Sequence, residues 1–314
     1  MTAAGSGEVV QVGIVAPSDA AEVRAAEDMG ADSLWVGGHI SSVNPGVEPV
    51  VWLSRLVEQT RAVQVGTAVL LLPLYPPALV AKQFADLDRA SGGRLTLGVG
   101  VGGEYPQEFS ALDVPLGERG RRTDEAIPLI RRLWTTESVT HPGPFFPMEN
   151  VRIHPGPRRK GGPPIVVAGR QPVAMRRAAI LGDGWMPYMY SPRRYRESVH
   201  RVQEFAATAG RDLAGFSWMA YVPVCVDDDP ARARREVAAF LGGTYRQDFE
   251  QLAAHVAAAG TIPDVVARLG EYVDAGARHL VLLPCKRTAQ HMGELLTMVA
   301  PLVRAHSVPA SRAP

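Results

Sequence analysis

Gly92-Gly93-Arg94-Leu95-Thr96-Leu97-Gly98-Val99-Gly100-Val101-Gly102-Gly103 reads as a short buried strand that runs out into bare backbone. Leu95 to Val99 form the strand. Gly98, Gly100, Gly102 and Gly103 then leave main chain almost without side chains, free to adopt dihedrals that a Cβ forbids and to approach something flat or charged. A structural turn rarely needs so many glycines; a ligand-facing loop does. Gly98, Gly100 and Gly103 also satisfy G-x-G-x-x-G, the dinucleotide fingerprint. That fingerprint needs a helix to start at once and opens the first β/α unit. Here Glu104-Tyr105-Pro106-Gln107-Glu108 follows, with a proline that resists an immediate helix, and three β/α units come before. The spacing disfavours a Rossmann domain.

Outward from this stretch, short apolar runs alternate with amphipathic segments rich in Ala, Arg and Glu. Strands are expected at 10–15, 33–36, 63–69, 95–99, 165–168, 184–186, 219–226 and 279–283. Helices are expected at 19–29, 50–60, 78–90, 118–134, 172–181, 192–209, 263–275 and 289–303. Pro192 and Pro263 suit the first turn of a helix, and Gly30, Gly182, Gly210 and Gly276 sit where helix ends favour a left-handed residue. Eight strands, each followed by a helix, imply an α/β fold: a single (β/α)8 TIM barrel, its parallel sheet buried under a ring of helices.

Two segments exceed that count. Residues 135–164 are rich in Pro and Gly and carry an alternating patch around Val151-Arg152-Ile153, so an insertion after helix 4 reads as a hairpin. Residues 228–259 hold two helical stretches split by Gly242-Gly243, an insertion after strand 7. Both are expected near the C-terminal mouth of the barrel, as a cover for the active face or as simple surface elaboration. The expected organisation is a disordered N-terminus over 1–8, one barrel over 9–306 and a disordered tail over 307–314.

Bulk composition removes several classes of function. With 33 basic and 32 acidic residues the net charge is +1, no footprint for nucleic acid or an anionic membrane. Lysine occurs only at Lys82, Lys160 and Lys286, and this arginine and alanine bias is typical of GC-rich coding. Cys225 and Cys285 lie far apart and suggest no disulfide framework. The N-terminus lacks the charged and apolar regions of a signal peptide. The longest apolar stretch, 68–81, is short and cut by Pro73, Pro76 and Pro77, so a cytoplasmic protein is expected. No histidine pair has metal-ligand spacing, so no metal is expected. No G-x-S-x-G elbow occurs. Lys286, just past strand eight, is the one lysine near a Schiff-base position, and a surface role suits it better.

Six blocks, in order, resemble one family. They are Ser33-Leu34-Trp35-Val36-Gly37-Gly38-His39, Gly66-Thr67-Ala68-Val69-Leu70, Arg94 to Gly103, Glu118-Arg119-Gly120-Arg121-Arg122-Thr123-Asp124-Glu125, Ile165-Val166-Val167-Ala168-Gly169-Arg170 and Leu181-Gly182-Asp183-Gly184-Trp185. Together they resemble the bacterial luciferase-like superfamily of flavin and deazaflavin oxidoreductases. The resemblance implies a flavin-type ring across the C-terminal mouth, with a substrate cavity beside it. It places the cofactor phosphate near Ala168, Gly169 and Arg170. It places the ring near the glycine loop, Gly100, Val101, Gly102 and Gly103, and near Thr67, Ala68 and Val69, where deazaflavin members often carry a cis non-prolyl peptide.

His39 is the catalytic candidate, since imidazole titrates near neutrality and can pass a proton as hydride moves. A role limited to holding the cofactor stands beside that reading. The family often has Asp before this histidine; here Gly38 removes that carboxylate. Glu104 follows the glycines and is expected to be a solvated loop residue. Trp52, Tyr105, Tyr188 and Tyr190 are candidate pocket walls or plain packing. The resemblance implies hydride transfer between a deazaflavin, coenzyme F420, and a small organic substrate. The alternative is an FMN-dependent monooxygenase using reduced flavin and dioxygen, and a non-catalytic or sugar-phosphate-type barrel is the remote one. A small-molecule substrate is the expected partner, and family members often form homodimers.

Overall fold

Runs of Val, Ile and Leu buried on both faces make the strands, as a parallel sheet covered by helices requires. A computed structural model describes residues 9–41, 47–245 and 250–306. In chain order the strands are β1 (Gln11–Val15), β2 (Ser33–Val36), β3 (Gln64–Thr67), β4 (Leu70–Leu71), β5 (Leu95–Gly100), β6 (Val139–His141) and β7 (Met148–Val151). Then come β8 (Ile165–Ala168), β9 (Gly184–Met186), β10 (Ser217–Val226), β11 (Ala258–Gly260) and β12 (His279–Pro284). Every residue of β2, β8 and β9 is buried.

The sheet runs β11-β10-β12-β1-β2-β3-β5-β8-β9, and β9 also pairs with β10, which closes it. The closed part is an eight-stranded parallel barrel surrounded by helices. All eight strands expected from the sequence are in it. Short β4 pairs with the end of β5, Leu70 opposite Val99 and Leu71 opposite Gly100. The end of ten-residue β10 carries β11, with Val224 opposite Ala258.

The chain divides into two compact units. Of the described residues, one holds those up to Ser33, Met186–Glu204 and those from Ser217 on; the other holds those within Leu34–Trp185 and Phe205–Phe216. In the second unit, helix Pro77–Ala90 buries Val80, Ala81, Phe84, Ala85 and Asp88, a one-sided stripe at helical spacing. Arg94 ties the start of β5 to the end of helix Pro49–Gln59. Its Nε donates to the Ser91 carbonyl at 2.7 Å and its NH1 to Thr60 Oγ1 at 2.8 Å and the Val63 carbonyl at 2.7 Å.

Several expectations need correction. The insertion at 135–164 is a hairpin, β6 with β7, but its return leg does not go to the strand C-termini. Arg159 pairs with buried Asp88, at 2.8 Å from its backbone N and 3.0 Å from its Nε, and its guanidinium also donates to the carbonyl of Leu95, the first residue of β5. The buried carboxylate draws the segment to the N-terminal end of that strand. In the other insertion, helix Pro230–Tyr245 runs straight through Gly242-Gly243, because neighbouring helical turns outweigh the propensity cost of two glycines, roughly 1 kcal/mol each. Gly182 is extended, with φ −91°; its glycine answers to crowding, a Cβ there lying 3.0 Å from Val167 and 3.1 Å from the Ala178 carbonyl. Residues 1–8 and 307–314 lie outside the described residues. No helix among the described residues is long and apolar enough to cross a membrane.

Candidate active site

The end of β2 brings the chain to Gly37-Gly38-His39, and both glycines are required by close backbone. A Cβ on Gly37 would lie 2.4 Å from the Ala68 carbonyl oxygen, and one on Gly38 would lie 2.2 Å from the Val47 carbonyl oxygen. An aspartate at position 38 does not fit here. Its carboxylate is supplied from elsewhere: His39 Nδ1 is 2.8 Å from Glu108 Oε1, and Glu108 Oε2 accepts from Ile40 N at 2.7 Å. The Glu108 side chain is fully buried, while that of His39 is about one-third exposed.

Glu108 sits in the short helix Pro106–Ala111, and Pro106 is its first residue. The proline that resists a helix in its interior is well placed at its start, where the missing N–H is unneeded. Tyr105 precedes it and meets the His39 ring edge-on, with centroids 4.8 Å apart. Phe109, next to Glu108, packs with Leu71 and Leu74, and with Val69 and Tyr75 at the edge of that cluster. The Tyr75 hydroxyl donates to Glu48 Oε1 at 2.7 Å, and Glu48 caps helix Pro49–Gln59 by accepting from Val51 N. Burial first, then the bond to Glu48, keep the Tyr75 phenol protonated far above its usual range, and the charge of Glu108 adds to that.

Below this group lies the end of β3. Thr67 is buried, with its hydroxyl on the Gly98 carbonyl at 2.7 Å. Ala68 N donates to the Val36 carbonyl at 2.6 Å, and the Ala68–Val69 peptide is cis, in the segment where the family resemblance implies one. A Cβ on Gly100 would strike Val69 Cγ2 at 2.6 Å. Gly102 (φ 63°) and Gly103 (φ 120°) are left-handed, which glycine alone adopts freely. Half-buried Val101 lies between Gly100 and Gly102. Gly103 packs against Arg119, whose NH1 donates to the Leu116 carbonyl.

Ala168 ends β8. Gly169 (φ 133°) follows, its carbonyl accepting from Trp185 Nε1 at 3.0 Å, and Arg170 is half-buried. His39, Thr67 to Val69, Gly100 to Gly103, Tyr105 and Ala168 to Arg170 all belong to one unit.

The remaining aromatics fare differently. Trp52 is 4% exposed inside helix Pro49–Gln59, with the Arg55 guanidinium over its ring, so it packs the helix rather than standing in a loop. Tyr188 belongs to the other unit, where it bridges to Tyr221. Tyr190 is buried there, and its carbonyl accepts from Tyr272. Lys286 is held by Asp227 at 2.6 Å. Burial alone would lower its pKa, but that hydrogen bond and charge outweigh burial and raise it, which suits an ammonium and not a Schiff-base nucleophile. A cleft of about 480 Å³ in the same unit lies along helix Ile262–Asp274, where Arg268 is bonded to Glu271 and Asp264 forms a capping box with Thr261.

Glu108, Glu48 and Tyr75 are the residues that sequence reasoning missed. Glu108 carries one signal: it is the acid in the first turn of a helix that Pro106 starts.

Residues 8–279 match the family described as luciferase-like monooxygenases. The chain belongs to that family. It is 31% identical over 285 residues to an F420-dependent glucose-6-phosphate dehydrogenase of Rhodococcus erythropolis, covering 82% of this chain and 84% of the relative. It is 32% identical over 217 residues to the 4-hydroxyprotoasukamycin monooxygenase of Streptomyces nodosus subsp. asukaensis, covering 66% and 58%. Among solved structures, an F420-dependent secondary alcohol dehydrogenase in complex with an F420-acetone adduct superposes with a TM-score of 0.84 at 21% identity, over 94% of this chain and 99% of that one. That likeness speaks for the fold. The protein is an enzyme, an oxidoreductase of the luciferase-like family.

Proposed function

We propose that the protein moves a hydride between coenzyme F420 and a small organic alcohol or carbonyl compound, with His39 handling the proton. The observation that supports this reading is the His39–Glu108 pair at 2.8 Å, His39 standing directly after the two glycines that follow β2. The long-coverage F420-dependent relative supports the cofactor choice.

The residues present fit a flat ring. Gly37 and Gly100 are sites where a Cβ has no room, and Gly102 and Gly103 hold left-handed backbone, so main chain rather than side chain is offered. Thr67, Ala68, Val69 and Gly100 to Gly103 would hold the ring. Ala168, Gly169 and Arg170 would hold the phosphate, through a close backbone amide and a fixed charge. When bound, a deazaflavin supplies a two-electron hydride acceptor or donor.

The chain's own part is the proton. A carboxylate only accepts, so Glu108 keeps the imidazole proton on Nδ1 and leaves Nε2 to take one. In alcohol oxidation the substrate hydroxyl proton passes to Nε2; in carbonyl reduction it returns. Both oxygens of Glu108 are engaged, which fixes the ring plane.

A second reading, an FMN-dependent monooxygenase, draws on the Streptomyces relative. Titration of the purified protein with F420 and with FMN, followed by fluorescence quenching, separates the two. Tighter binding of F420, followed by turnover without dioxygen, is expected. Tighter FMN binding with oxygen consumption sinks the first reading.

A further inference from the structure

We infer that Cys225 and Cys285 form a two-coordinate site for a soft monovalent metal ion, with copper(I) as the biological case. The site lies in the unit that holds β10 and β12 and is independent of the F420 reading.

Far apart in sequence, the two cysteines are neighbours in the sheet. β10 and β12 pair in parallel register from Met219 opposite His279 to Val224 opposite Pro284. Cys285 N donates to the Val224 carbonyl at 2.9 Å, so the ladder continues one step and sets Cys225 opposite Cys285. Residues opposite each other on paired strands share a face. Both cysteines accordingly belong to one apolar group, together with Met189 and with Ala233, Val237 and Leu241 of helix Pro230–Tyr245. Cys225 is fully buried and Cys285 is 8% exposed. Their hydrogen bonds are long: Cys225 Sγ is 4.0 Å from the Val226 carbonyl and Cys285 Sγ is 3.8 Å from the Leu283 carbonyl.

Spacing decides what the pair can do. Neighbouring strands lie about 4.7–4.9 Å apart. A disulfide needs its Cβ atoms about 3.5–4.5 Å apart, so closing one here would draw the strands together. Two thiolate–metal bonds of about 2.3 Å set in line span about 4.6 Å, which matches the sheet. Soft thiolate and thioether ligands select copper(I). Zinc takes four ligands, and among the described residues no group of three His, Cys, Asp or Glu side chains is placed to hold a metal ion.

Burial keeps both groups as thiols while no ion is bound, with Cys225 pushed up to about 11. An arriving ion displaces the two protons, and two thiolates with one monovalent cation carry one negative charge. A counter-charge is in place. Lys286, next to Cys285, donates to the Val226 carbonyl at 3.1 Å and to Asp227 at 2.6 Å. Asp227 also holds Arg232, so these three side chains carry one surplus positive charge. Of the charges acting on Cys225, that of Lys286 is the strongest, against Glu236, Asp227 and Glu294.

The test adds copper(I) to the full-length protein without oxygen and lets it compete with the chelator bicinchoninate until the colour is constant. One ion per chain is expected, and X-ray absorption at the copper edge is expected to show two sulfur neighbours. Cys225→Ser and Cys285→Ser are each expected to weaken binding by more than about 100-fold, beyond the cost of losing an outer partner. Lys286→Met keeps both ligands and is expected to weaken binding roughly tenfold. Cys225→Ala and Cys285→Ala, checked by circular dichroism, stand in for a serine variant that does not fold. A wild type that takes up no copper(I) overturns the inference, as does wild-type affinity in a folded variant of either cysteine. Zinc(II) held as tightly as copper(I) also overturns it. So does a Cys225–Cys285 disulfide found by mass spectrometry in protein purified in air, since the strands then come close enough to close one.

Discussion

At the scale of single residues, the site is a substitution of one carboxylate for another. Position 38 has no room for a side chain, and Glu108 reaches His39 from a different element. His39→Ala is expected to lower saturated turnover by roughly 10²–10⁴ while the cofactor dissociation constant stays close to wild type. A weakened cofactor with normal turnover makes His39 a holding group instead. On the proposed reading, Glu108 acts through the histidine, as a positioning residue. Glu108→Gln is expected to cut kcat by about 10² and to move the pH–rate profile, with KM little changed. An unchanged pH profile reduces Glu108 to a structural role. Gly37→Ala tests the ring site from below. Its Cβ meets a backbone oxygen at 2.4 Å, which cannot swing aside, so the Ala68–Val69 segment must shift. Cofactor affinity is expected to fall at least tenfold, a change of about 1.4 kcal/mol, read by fluorescence titration. A folded variant with wild-type affinity removes that segment from the cofactor site.

At the scale of elements, the sequence reads well where periodicity decides and poorly where long-range partners do. Helix Pro77–Ala90 and helix Pro172–Leu181 begin and end within one residue of their expected bounds, because proline starts and apolar stripes are local signals. The short helix Pro106–Ala111 was hidden by the same proline that starts it. The path of the 135–164 insertion was hidden because its anchor, Asp88, lies far away in sequence and looks like one more solvated helix acid. The structure buries it completely, with Arg159 as its charged partner. Breaking a buried pair by removing one partner strands the other, at a cost of about 3 kcal/mol. Arg159→Ala is therefore expected to lower the urea midpoint markedly while leaving kcat and KM of the folded enzyme unchanged. A midpoint equal to wild type shows that the pair contributes nothing net.

At the scale of the whole molecule, eight apolar runs separated by amphipathic segments were enough to give the barrel, because alternation leaves few other ways to bury them. The sequence did not show which buried polar groups the barrel contains. His279 on β12 is one, 7% exposed, with its Nε2 2.6 Å from the Ser33 hydroxyl. Burial pushes its pKa down from 6.5 to about 4, and the charge of Asp32 opposes this only in part. The folded value lies below the unfolded one, so between them the unfolded chain binds a proton that the folded chain refuses. Stability from this group is complete above pH 6.5 and is lost as pH falls towards 4. The loss amounts to roughly 2 kcal/mol by pH 5 and roughly 3 kcal/mol by pH 4. Below pH 5 ordinary carboxylates begin to titrate, so the window from 6.5 to 5 is the clean one. Urea unfolding of wild type and His279→Gln at pH 7 and pH 5 isolates the effect. The variant is expected to be less stable at pH 7, having lost the fit to Ser33, yet to lose about 2 kcal/mol less than wild type on acidification. Parallel losses in the two proteins mean that His279 takes up its proton without unfolding the barrel, and the acid limb then belongs to other groups.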